Sequence, residues 1–163
     1  MDAVEYYNVI ANSYEPLYRA EQEKKVDRIL ELVNVTKSDN ILDIGAGTGI
    51  LEERLQGYNI TAVEPSRLAE KLLEKKLIDV KIVREPIEKF FSNEKFDKVF
   101  CITVLQDMDE SQRSTCINKA LLFAKPGGKI VISVLERSGI DLSYLNPISV
   151  LQIENDKVFI FSV

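Results

Sequence analysis

The sequence predicts an α/β domain: a doubly wound, mostly parallel sheet closed by a C-terminal antiparallel hairpin. Three observations carry this. Residues 40–50, Asn-Ile-Leu-Asp-Ile-Gly-Ala-Gly-Thr-Gly-Ile, read as a short buried strand, a glycine-rich turn and the opening of a helix. Short apolar runs recur at 59–64, 80–83, 96–105 and 129–135, with helical or polar stretches between them, as in parallel strands joined by crossovers. The last two runs, 148–153 and 157–163, are separated by only a few polar residues, which is hairpin spacing.

The bounds are those of one domain. The chain has 163 residues, and 1–163 read as a single unit, with 1–38 ahead of the first strand and 39–163 as the α/β core. A net charge of −5 argues against a general nucleic-acid glove. No apolar run is long enough for a membrane helix. The N-terminal Met-Asp-Ala-Val-Glu lacks a signal peptide's basic and apolar regions, and two cysteines, Cys101 and Cys116, fit reduced thiols; a cytoplasmic location is expected. Histidine is absent and no cluster has metal-ligand spacing, so neither a metal nor a histidine base is expected.

Ahead of the first strand, Tyr7 to Glu15 predict a short aromatic helix or turn, and Pro16 is expected to restart the chain. From Leu17 to Val33, the positions Tyr18, Val26, Ile29, Leu30 and Val33 fit one buried helical stripe. Glu21, Glu23, Lys24, Lys25, Asp27, Arg28 and Glu31 read as a solvated face. Tyr6, Tyr7 and Tyr14 cluster in a stretch too short to build a core.

Asp43 interrupts the first strand, and a carboxylate there is costly unless paired or bound. Gly45, Gly47 and Gly49 follow it as G-x-G-x-G, so a ligand can lie against the backbone. The third glycine comes one residue early for the dinucleotide fingerprint, and no P-loop pattern is present. The second strand, 59–64, ends on Glu64, 19 positions past Gly45. A carboxylate at about that distance is placed to accept from both vicinal hydroxyls of a ribose.

Ser66 is a candidate N-cap for a helix over 67–77. Val80 to Val83 make the third strand, and Pro86 is expected to open a short helix through Phe90 and Phe91. Phe96 to Leu105 read as the fourth strand, whose apolar flanks make Cys101 a buried, unreactive thiol. A helix over 111–124 is broken by Lys125-Pro-Gly-Gly128, read as a turn, before the fifth strand at 129–135. A short polar connection, 136–147, leads to the hairpin, with its turn at Asn155-Asp156 and little chain for a substrate cap.

Asp43-Ile-Gly-Ala-Gly-Thr-Gly49 closely resembles the first motif of the class I S-adenosylmethionine (SAM) methyltransferases. Phe96-Asp97-Lys-Val99 is similar to their fourth motif, and Lys125-Pro-Gly-Gly128 before an apolar strand is similar to a structural hallmark of the family. Ile10-Ala-x-x-Tyr-Glu15 resembles a lid segment of the branch related to quinone-biosynthesis methyltransferases. The resemblance covers nearly the whole chain. It implies SAM as cofactor, with residues 1–38 as a helical lid. By the same resemblance Tyr14 belongs to the lid, and Asp43, Gly45, Ala46, Gly47 and Gly49 bind the cofactor, the glycine loop passing along its amino-acid part and ribose. Glu64 takes the ribose, Pro65 and Ile87 contact adenine, and the backbone from Cys101 to Thr103 faces the sulfonium.

Two departures stand out. Pro86 occupies the position of the acid that accepts from the adenine amino group in many relatives, and the histidine many carry near Gln106 or Asp107 is missing. The bases within reach are Tyr6, Tyr14, Glu15 and Asp107, and none is singled out as catalytic. The expected function is SAM-dependent methyl transfer to a small molecule, or to a protein or RNA through a partner subunit. The alternative is a non-catalytic SAM-binding or scaffold subunit that keeps the fold.

Overall fold

The computed structural model describes all 163 residues, Met1–Val163. Helices α1 (Ala3–Ile10) and α2 (Tyr14–Val33) precede strand β1 (Asn40–Ile44). Then follow α3 (Ile50–Arg54), β2 (Asn59–Val63), α4 (Leu68–Glu74), β3 (Val80–Val83), β4 (Phe96–Ile102), α5 (Glu110–Phe123), β5 (Ala124–Leu135), β6 (Ser149–Ile153) and β7 (Asp156–Ser162). The seven strands form one sheet in the order β3-β2-β1-β4-β5-β7-β6. Neighbours from β3 to β5 are parallel, while β7 runs antiparallel to both β5 and β6. The winding reverses between β1 and β4. Ligands in such sheets bind outside the carboxyl ends of the strands at that reversal.

Strand alternation divides the core between the two faces. Leu42, Ile44, Val99, Cys101, Ile130 and Ile132 pack against α5. Ile41, Phe100 and Val131 pack on the other face against Val26, Ile29 and Val33 of α2 and Ile50 and Leu51 of α3. Each fully buried Leu, Ile, Val or Phe contributes roughly 1.5–3 kcal/mol.

Local chemistry explains most boundaries. Asp2 and Glu5 form a capping box at the start of α1, and Asp109 and Gln112 form one at the start of α5. Asn34, left-handed at φ 48°, ends α2. Asp97 of the Phe-Asp motif ties three strand starts together: its Oδ2 accepts from the Asn40 amide (2.8 Å) and from Lys125 Nζ (2.9 Å).

Four sequence expectations change. Pro16 does not restart the chain but sits in the first turn of α2, where its missing N–H has no helical partner anyway. Pro86 to Phe90 form a turn rather than a helix. The turn at Lys125–Gly128 lies within β5 rather than before it, as a bulge between the pairs Phe96–Ala124 and Lys98–Lys129, with Gly127 at φ 80°. The hairpin turns at Glu154 (φ 50°) and Asn155, and Asp156 is already the first residue of β7.

A fifth concerns Lys25. Assigned from sequence to a solvated face, it is wholly buried on the inner side of α2. Its Nζ lies 2.9 Å from Oδ1 of the equally buried Asp156 and donates to Thr103 Oγ1 at 2.8 Å. Thr103 Oγ1 and Ser133 Oγ both donate to Asp156 Oδ2 at 2.7 Å. Thr103, just past β4, has φ 58°, a left-handed backbone that a β-branched residue rarely adopts. Its amide also donates to Ser133 Oγ at 3.0 Å. The strain is therefore held by contacts from α2, β5 and β7 at once.

Candidate active site

A cavity of about 390 Å³ opens at the carboxyl ends of β1, β2 and β4. Roughly 300–1,000 Å³ is usual for small-molecule sites. Gly45 and Gly47 form its floor, and Glu64, Pro65 and Ser66 one side. Ile87 and Pro86, Ile102 to Val104, Tyr14 and α1 complete the wall. No lysine or arginine lines it, whereas Asp2, Glu64, Glu88, Asp107 and Asp109 do.

Glu64 joins the glycine turn to the end of β2. Its Oε2 accepts from the Gly47 amide at 2.8 Å, and its Oε1 accepts from the Ser66 amide (2.8 Å) and hydroxyl (2.6 Å). A carboxylate offers about four acceptor positions, so one stays open toward the cavity. The Ser66 hydroxyl in turn accepts from the Leu68 amide at 3.2 Å, which fixes the entry to α4.

The glycines divide by role. Gly47 has φ 58° and borders the cavity, and a Cβ there would meet nothing nearer than 3.9 Å. Gly49 has φ 89° and caps α3; a Cβ there would collide with Leu72 Cδ1 of α4. Gly49 thus serves helix packing and does not border the cavity, contrary to its assignment from sequence. Ala46 faces a small recess behind the turn, with Asp43, rather than the main cavity.

Asp43 is buried at the end of β1, facing α3. Burial pushes its carboxyl well above the usual carboxylate range, and the nearby Glu52 and Glu64 push it further. Glu52 of α3 is wholly buried beside Asp43, and burial raises it to about 7. No hydrogen-bond donor reaches either Glu52 oxygen. Sequence places Glu52, with Glu53 and Arg54, on the wet side of this helix; the structure buries it, three residues before the buried Leu55.

The Cys101 thiol is buried as expected, its sulfur 3.9 Å from that of Cys116; of the backbone expected to face the sulfonium, Ile102 and Thr103 line the cavity and Cys101 does not. The neighbouring thiol and burial raise its pKa, so it is inert.

Helix α1 covers the cavity and is pinned at two points. Asn8 Oδ1 accepts from the Arg67 amide at 2.7 Å, and Tyr7 donates to Asp107 Oδ2 at 2.8 Å. Tyr14 stacks edge-on against Tyr7, ring centroids 5.8 Å apart. Burial pushes both phenols well above their ordinary value; the charges of Asp107 on Tyr7 and Glu64 on Tyr14 add to this, so neither supplies a phenolate base. On the far side of these tyrosines lies a second cavity of about 580 Å³. Tyr7, Tyr14, Thr103 and Asp107 line both.

Fold and site together define an α/β nucleotide-binding domain with a glycine turn, a carboxylate at the end of β2, and two adjoining cavities. The chain belongs to the methyltransferase domain family, whose model matches residues 17–163. A ubiquinone biosynthesis O-methyltransferase of Actinobacillus pleuropneumoniae is 30% identical over 126 residues, 70% of this chain and 53% of that protein. A Klebsiella pneumoniae protein of the same name is 25% identical over 138 residues, 80% of this chain and 56% of that one. The chain thus spans about half the length of the curated relatives it matches. Among solved structures, magnesium protoporphyrin IX methyltransferase of Synechocystis, with bound SAM, superposes with a TM-score of 0.76 at 14% identity. That match covers 98% of this chain and 94% of the other. The N-methyltransferase NodS of Bradyrhizobium japonicum, with S-adenosylhomocysteine, gives a TM-score of 0.71 at 19% identity, covering 89% and 87%. These two are likenesses of fold. No helix is long and apolar enough to cross a membrane.

Proposed function

We propose that the chain binds SAM in the first cavity and directs its methyl group to a small molecule in the second. The observation that carries this is Glu64. It faces the same cavity as the glycine turn, in a wall with no lysine or arginine. A dinucleotide's pyrophosphate would find no lysine or arginine there, whereas a cofactor bearing a sulfonium and an ammonium suits an acidic wall. Gly47 leaves the floor open, and Glu64 keeps an acceptor position for a ribose hydroxyl. Ile87 and Pro65 offer apolar contact for adenine, with Pro86 beside them in place of an acid.

SAM supplies a methyl carbon on a positively charged sulfur, open to in-line displacement. The chain's part is alignment and exclusion of water, which alone can remove several kcal/mol of barrier. Tyr7 and Tyr14 form the partition between the two cavities, and Thr103 holds the end of β4 beside it. We place the protein in the cytoplasm, in keeping with its two free, buried thiols.

Isothermal titration with SAM and S-adenosylhomocysteine, with NAD as control, tests the reading. Micromolar binding of either SAM compound and none of NAD supports it. Binding of NAD, or of none of the three, removes it. Binding without turnover of any acceptor would favour the scaffold alternative.

A further inference from the structure

Resting on the cofactor reading above, we infer that the second cavity selects a basic amine, bound as its ammonium, as the methyl acceptor. Four tyrosines form a continuous aromatic wall there: ring centroids are 5.3 Å apart for Tyr6 and Tyr7, 5.8 Å for Tyr7 and Tyr14, and 5.2 Å for Tyr14 and Tyr18. Aromatic faces attract a cation within about 6 Å of the ring centre.

Three of the wall's polar groups are carboxylates, which only accept. Asp107 carries a carboxylate at the partition, and Glu21 and Glu136 add two more. Gln106 donates both ways, to the Thr103 carbonyl at 2.7 Å and to Asp107 Oδ2 at 3.1 Å. That leaves its Oε1 as a buried acceptor with no donor. A ligand rich in N–H groups supplies what this wall lacks. Of the cations nearby, Lys25 is held by Asp156 and Thr103, with Glu21 3.8 Å away, and Arg137 is solvent-exposed, as are Asp107 and Glu136. An anionic acceptor would therefore meet three carboxylates against one arginine.

The chemistry agrees with the charge. A hydroxyl acceptor generally needs a base, and here histidine is absent and both buried phenols stay protonated. An amine needs only to lose one proton. Its nitrogen lone pair then forms the C–N bond as the S–C pair returns to sulfur, and the positive charge passes to nitrogen. Asp107, which touches both cavities, is the acceptor nearest that step.

The test is titration of the S-adenosylhomocysteine complex with three probes of similar size: 2-phenylethylamine, 2-phenylethanol and 3-phenylpropanoate. The ammonium is expected to bind at least tenfold tighter than the alcohol, with the carboxylate weakest. Asp107→Asn should abolish the preference, and Glu21→Gln, which lies outside the cofactor cavity, should reduce it with cofactor affinity within about twofold. Equal or reversed preference, or no binding of any probe to the complex, overturns the inference and leaves the cofactor reading standing. Failure of S-adenosylhomocysteine itself to bind overturns the cofactor reading and the inference with it.

Discussion

Lys25 and Asp156 form a fully buried ion pair, Nζ to Oδ1 2.9 Å, that joins α2 to the first residue of β7. The two residues lie 131 positions apart in the chain and are bridged by Thr103 at the rim of both cavities. One of the ammonium's three N–H groups goes to Thr103, and the charge lies 2.9 Å from the carboxylate. Wholly excluded from water, such a contact adds little net stability over a well-packed apolar pair, but breaking it is costly.

Removal of one partner is thus the first prediction. Lys25→Met should destabilise the protein by about 3–5 kcal/mol, because Asp156 is left buried and unpaired. Adding Asp156→Leu should recover much of that loss. Urea denaturation of the wild type, both single variants and the double variant measures the coupling. Additive effects would show that the pair is not a unit.

Gly47→Ala and Gly49→Ala should fail differently. At Gly49 a Cβ meets Leu72 and the backbone is left-handed, so Ala should lower the melting temperature by many degrees. At Gly47 a Cβ meets nothing near, so only the left-handed strain, about 1–2 kcal/mol, is lost from stability. Its Cβ would stand at the cavity floor, so cofactor affinity should fall at least tenfold in a folded protein. Melting curves together with SAM titration separate the two cases.

Glu64→Gln should weaken SAM binding by roughly 10- to 100-fold, the range of a lost charged hydrogen bond. The same change loosens the Gly47 and Ser66 contacts, so a modest loss of melting temperature should accompany it. Unchanged affinity would dissociate Glu64 from the cofactor.

The Asp43–Glu52 pair should make stability depend on pH. The folded state keeps a proton on Glu52 up to about 7, whereas the unfolded chain releases it near its ordinary 4.5. Between these values the native state binds more protons, so stability falls as pH rises through the window, by about 3 kcal/mol. The raised Asp43 acts in the same direction. Glu52→Gln should flatten the profile and stabilise the protein above neutrality. Denaturation at about pH 5 and about pH 8 reads both effects.

The strand–glycine turn–helix at 40–50, the carboxylate at Glu64 and the closing hairpin were legible in the sequence because each rests on local pattern. Apolar period, turn chemistry and the length of one crossover are properties of neighbouring residues. The sequence by itself determined the order of the elements, the nucleotide turn and the family resemblance. Tertiary structure alone decided which groups face which. It gave Gly49 to the packing of α4. It also buried Lys25 on a helix whose charges otherwise face water. The one local sign was that Lys25 stands a turn before Ile29, on the buried stripe. Whether a charge at such a position is tolerated depends on a partner from a distant strand, and Asp156 arrives only when β7 inserts beside β5. The same holds for the second cavity, whose walls come from α1, α2, the end of β4 and the loop after β5. No local pattern encodes that meeting; it is fixed by the packing of both helices against the finished sheet.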